Sequence, residues 1–69
     1  RSLRDKLLSY LSDESARQQS TSFSIPFNRQ QLADYLCVDR SALSRELSLL
    51  REEGILRYHK SHFELSENF

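Results

Sequence analysis

"NRQQLADYLCVDRSALSRELSLLREEG", residues 28–54, decides the fold. In its second half Leu43, Leu47 and Leu50 share one face at the roughly 100° per residue of a helix. Asp39 stands just before that stripe as an N-cap, because its carboxylate can accept from a free backbone N–H. Gly54 supplies the left-handed position that ends such a helix. The spacing therefore predicts a helix from Arg40 to about Glu53. In the first half, Asn28 followed by Gln31 makes a variant capping box. A short helix from Arg29 to about Leu36 follows, with Leu32, Ala33 and Leu36 turned inward. Only Cys37 and Val38 separate the two helices, which forces a sharp turn and a helix-turn-helix.

Outward from this motif the pattern changes on both sides. Toward the N-terminus, Leu3, Leu7, Tyr10 and Leu11 recur at helical spacing with Leu8 beside them, so a helix is predicted over residues 2–18, with Ser2 as a candidate N-cap. Phe23, Ile25 and Phe27 alternate with small residues, the period of a short strand. Pro26 lacks an N–H and belongs at an edge or at the strand's end. After Gly54, Ile55, Leu56 and Tyr58, then Phe63 and Leu65, suggest two short strands, with "HKSH" (residues 59–62) as the turn between them. The expected fold is mainly α with small β (α+β), a winged helix-turn-helix. It has three helices, a short strand before the motif and a C-terminal β-hairpin wing. The last few residues are expected to fray.

Composition narrows the function. A chain of 69 residues is a single domain, 1–69, with no room for both a substrate pocket and its supporting shell. Its 38% hydrophobic and 29% charged residues are those of a globular protein that dissolves in water. No apolar run approaches a membrane span and no signal-peptide pattern opens it. It starts at Arg1 and contains no Met, as a piece of a longer protein would. A single Cys allows no internal disulfide, which fits a reducing compartment. The formal net charge is zero, so bulk charge gives no support to nucleic-acid binding, and such a function must rest on where the charges sit.

Their placement is informative on the second helix of the motif. Arg40, Ser41, Ser44, Arg45, Ser48, Arg51 and Glu52 form one arc opposite the leucines, with no acid between Arg40 and Arg45. Taken alone, such an arc is most often a solvated helix face. Set on the second helix of a helix-turn-helix followed by a wing, it reads as a surface for the major groove of double-stranded DNA. There an arginine can donate two parallel hydrogen bonds to guanine O6 and N7. Arg45 is the first candidate for that role, and Arg40 contacts base or phosphate. Ser41 and Ser44 can both donate and accept, so they tolerate several bases. The free N–H groups and positive partial charge at the start of the helix suit phosphate. Asn28, Arg29, Ser48 and Lys60 are the candidate phosphate contacts.

"NRQQLADYLCVDRSALSRELSLLREEGIL" resembles the helix-turn-helix of the Crp/Fnr family, the bacterial regulators related to the cyclic AMP receptor protein. Asn28, Arg29, Gln30 and Ala33 match the first half of the family pattern, and Arg40, Leu43, Ser44 and Arg45 the second. The likeness extends to the leading helix, the strand before the motif and the wing. It implies that Arg29 meets phosphate and that Arg40 and Arg45 read the recognition site. It also implies a cytoplasmic regulator that forms a homodimer on inverted-repeat sites, with RNA polymerase as a further partner. A small effector would bind an N-terminal sensing domain absent from these residues, so no cofactor is expected in this chain. Four positions depart from the pattern. Ser41 stands where a base-reading glutamate is frequent, and Ala42 replaces a threonine. Cys37 occupies a turn position often held by glycine, where φ > 0 costs a side chain more. Glu46 replaces an apolar residue and is expected at the edge of the buried face, with a basic partner or exposed.

Other residues allow competing readings. His59, Lys60 and His62 could crown the wing and touch phosphate, more strongly at mildly acidic pH, or form an ordinary solvated turn. Cys37 with the two histidines falls short of the four ligands of a structural zinc site. A redox role for Cys37 competes with that of a small, half-buried apolar residue. Tyr10, Phe23, Phe27, Tyr35 and Phe63 are expected in the core or at its edge. Ser, His and Asp are all present, but nothing in the sequence brings them together as a catalytic site. The rival from another class is a winged-helix docking module without DNA binding, which would expose an apolar patch where a DNA reader exposes cations.

Overall fold

The computed structural model describes residues 2–67 and 69. Six elements follow one another: α1 (Leu3–Gln18), β1 (Ser22–Ser24), α2 (Arg29–Leu36), α3 (Arg40–Glu52), β2 (Leu56–His59) and β3 (His62–Leu65). This is the mainly helical winged helix-turn-helix expected from the sequence. Each helix begins where a side chain caps it. The Ser2 hydroxyl accepts from the Asp5 N–H at 3.1 Å. Asn28 and Gln31 form the full reciprocal capping box, both bonds at 2.8 Å. Asp39 accepts from the Ala42 N–H at 3.1 Å. α3 stops at Glu52, one residue before the expected end. Gly54 then takes φ 74°, and the Ile55 N–H bonds back to the Leu50 carbonyl.

The sheet is antiparallel in the order β1-β3-β2, so the wing's last strand lies in the middle. Its register sorts the side chains by face. Phe23, Phe63 and Tyr58 lie in one cross-strand row, and Leu56 opposes Leu65. These pack toward the helices, where Leu7, Leu11, Leu32, Leu43, Leu47 and Leu50 complete a core with fully buried members from all three helices. The outer face carries Ser22, Glu64 and Arg57 in one row and Ser24, His62 and His59 in the next. β1 ends at Ser24, shorter than the Phe23–Phe27 alternation suggests, because Pro26 cannot donate to a ladder. One further bond, from the Ile25 N–H to the Ser61 carbonyl at 2.9 Å, ties the outgoing chain to the wing's turn.

Two residues sit differently from expectation. Tyr35 is 60% exposed, so it is not a core residue. Its ring lies over Tyr10 and Phe27, with centroids 5.3 and 5.1 Å away, as the outer member of an aromatic trio. Cys37 is exposed rather than half-buried, because it is the left-handed cap of α2, at φ 60°. Among the described residues no helix is long and apolar enough to cross a membrane.

Candidate nucleic-acid interface

The capped turn at residues 37–39 throws α3 across α2 and leaves one side of α3 open. Leu43, Leu47 and Leu50 are buried beneath it, while Arg40, Ser41, Ser44, Arg45, Arg51 and Glu52 are exposed and Ser48 is half-buried. The structure thus brings the four candidate base-reading residues onto one accessible surface. Neither Arg40 nor Arg45 has an ion pair or a side-chain hydrogen bond among the described residues. Other arginines are neutralised in place: Arg4 by Glu46 and Glu53, Arg17 by Glu14, and Arg57 by Glu64. Zero net charge therefore coexists with a locally uncompensated cationic helix face. Leu49, 47% exposed, lies beside Ser44, Arg45 and Ser48 on this surface. In the sequence its only signal is a leucine lying off the stripe of Leu43, Leu47 and Leu50. An apolar group there suits a thymine methyl.

The start of α3 is less open to phosphate than expected. The Asp39 carboxylate already accepts from the Ala42 N–H and places a negative charge at the positive end of the helix. Cationic side chains, more than the helix terminus, must then carry any phosphate attraction at this end.

The candidate phosphate contacts divide into two kinds. Asn28 is exposed. Its side-chain oxygen is committed to the cap, which leaves the amide N–H2 as its donor. Lys60 is exposed at the tip of the wing with φ 53°, in a two-residue loop between the paired His59 and His62. Arg29 is only half-exposed and is turned inward. Its Nη2 donates to the Lys60 carbonyl at 2.9 Å, and its guanidinium lies 5.5 Å from the Tyr58 ring centroid and 5.7 Å from that of Phe63. Nη1 is shielded from solvent and has no hydrogen-bond partner among the described residues. Burial, with the repulsion of Arg40 added, pulls the Arg29 pKa down, against the smaller effect of Tyr58. Arg51 covers the Tyr58 ring at 4.8 Å, so α2, α3 and the wing meet around this one phenol.

The wing's histidines differ from each other. His59 is exposed. His62 points along the sheet, with Nε2 2.9 Å from the Ser22 hydroxyl and Nδ1 3.1 Å from that of Ser24. Both ring nitrogens are occupied, so His62 does not crown the wing as the sequence suggested. No three His, Cys, Asp or Glu side chains gather as a metal site among the described residues. Glu46 meets the expectation for it: half-buried, it receives Arg4 Nε.

Compared with known proteins, residues 5–67 match the family described as the Crp-like helix-turn-helix domain. No curated protein and no solved structure matches the chain.

Proposed function

The chain belongs to the Crp-like helix-turn-helix domain family, a family of DNA-binding domains of transcription regulation, and from that membership we propose that it reads a specific double-stranded sequence with α3. One observation carries the proposal: among the described residues Arg40 and Arg45 stand exposed and unpaired on α3 while Arg4, Arg17 and Arg57 are bound to carboxylates. In the major groove Arg45 donates its fork to guanine, Arg40 meets base or phosphate, and Ser41 and Ser44 adapt to neighbouring bases. Asn28, Ser48 and Lys60 border this surface and hold the backbone, which fixes register without reading sequence. Arg29 belongs to the same edge of the interface. Ser41 offers no carboxylate to a cytosine N4, so base preference at that position is relaxed relative to family members with glutamate there.

By its resemblance to the Crp/Fnr regulators, the domain acts in the bacterial cytoplasm as the output module of a longer chain. A sensing domain binds the effector, two copies dimerise on inverted half-sites about one helical turn apart, and RNA polymerase is a further partner. One copy alone binds a single half-site weakly.

Fluorescence anisotropy of the domain with duplex DNA of random sequence, at several salt concentrations, tests the reading. Affinity should fall steeply as salt rises, because bound cations release counterions from DNA. A folded domain that fails to bind at low salt would favour the docking module.

A further inference from the structure

We propose that Arg29 serves DNA binding through Lys60, as a positioning residue that locks the tip of the wing; the inference rests on the DNA-binding reading above. The expectation for Arg29 is its own phosphate contact. Its geometry serves another purpose. The Nη2 donor is spent on the Lys60 carbonyl, and Nη1 is shielded from solvent. The flat guanidinium lies against Tyr58 and Phe63, one from each strand of the wing.

The loop it holds needs holding. A two-residue hairpin turn with φ > 0 at its first position ordinarily uses glycine there. This one has Lys60 at φ 53°. Residues in such sparsely populated conformations persist where their surroundings over-determine them. Here three bonds from one segment do so. Arg29 donates to the Lys60 carbonyl, the Ser61 hydroxyl donates to the Phe27 carbonyl, and the Ile25 N–H donates to the Ser61 carbonyl. The backbone of the tip is thereby fixed to the entrance of α2, while the Lys60 side chain stays exposed. Arg29 thus sets where the Lys60 ammonium stands relative to α3.

A double-mutant cycle on the salt dependence of DNA binding separates the two roles. Arg29→Met keeps an apolar stem against the two rings and removes the fork. Lys60→Gln removes the wing's charge. Each phosphate neutralised contributes about 0.9 to the slope of log affinity against log salt. Acting through Lys60, Arg29→Met and Lys60→Gln each reduce the slope by about one phosphate's worth, and the double variant reduces it no further. A double variant that loses twice as much overturns the proposal, because Arg29 then neutralises a phosphate of its own. An unchanged slope for Arg29→Met beside a reduced one for Lys60→Gln also overturns it. Thermal melting confirms folding, and Arg29→Gln replaces Arg29→Met if that variant does not fold. Absence of salt-dependent binding by the unsubstituted domain would sink the DNA-binding reading itself, a result distinct from either failure within the cycle.

Discussion

Cys37 holds a backbone conformation that its own side chain opposes. In the left-handed region Cβ crowds the following carbonyl, at a cost of roughly 1–2 kcal/mol. Cys37→Gly should therefore raise stability by about 1 kcal/mol, after allowing for the greater entropy glycine loses on folding; urea denaturation reads this as a higher midpoint at unchanged slope. Arg45→Ala should cost about 1–3 kcal/mol of DNA affinity and relax preference at one base pair, which binding selections with both proteins would show. An equal loss on every sequence would make Arg45 a phosphate contact. Ser41→Glu restores an acceptor for cytosine N4 and should narrow the selected sequence at one position. The strain at Cys37 was legible in the sequence, because a residue between two capped helices has few conformations open to it. The inward fork of Arg29 was not, since it depends on the Lys60 carbonyl and two rings supplied by the later hairpin. Nor was the exposure of Tyr35, because an aromatic ring can cover a core edge from outside it.

At the scale of elements, α3 is held by leucines beneath and by one arginine at its flank. Leu47 is fully buried, and Leu47→Ala should cost about 2–5 kcal/mol in a denaturation experiment. Arg4, on the first turn of α1, donates Nε to Glu46 and a two-bonded fork, at 3.0 and 2.8 Å, to Glu53. It thus reaches from Glu46 within α3 to Glu53, the residue that caps the helix's C-terminal end. The hydrogen bonds from Arg4 hold the Glu53 carboxyl below its usual pKa. A lowered folded-state pKa means that this stabilisation is complete above the unfolded value near 4.5 and is lost as pH falls through the folded one. Arg4→Met should remove it, so melting temperature should fall less steeply with acid below about pH 4.5 than in the unsubstituted protein. Parallel acid limbs would show that the clamp adds nothing to stability. Helix starts were readable because caps act within three residues of the chain they cap. This clamp joins residues 42 and 49 positions apart, and only the need of Glu46 for some basic partner could be foreseen.

For the molecule as a whole, ten basic and ten acidic residues cancel in the sum but not in space. Total charge could not reveal the interface, because Glu14, Glu46, Glu53 and Glu64 are spent on Arg4, Arg17 and Arg57, and the acids that balance the remaining cations in the sum make no ion pair with Arg40 or Arg45 among the described residues. One domain with few free cations should bind DNA weakly. Two copies joined by a flexible linker that spans adjacent half-sites should bind an inverted repeat about 10²–10⁴-fold more tightly than one copy does. Anisotropy with the repeat intact and with one half scrambled measures that gain, and equal affinity on both duplexes would argue against paired reading. The strand order has a consequence of another kind. β3 is the middle of the sheet and follows the other five elements among the described residues, and its Phe63 faces Phe23 of the first strand. Without residues 62–65, β1 and β2 have no strand partner in the sheet and the three helices lack the ring that completes their core. Contacts so distant in sequence are slow to form, because the chain between them must be ordered first. Residues 62–65 supply the hydrogen-bonding partner of both β1 and β2 and the ring that completes the core, so the sheet can close only once they have joined it.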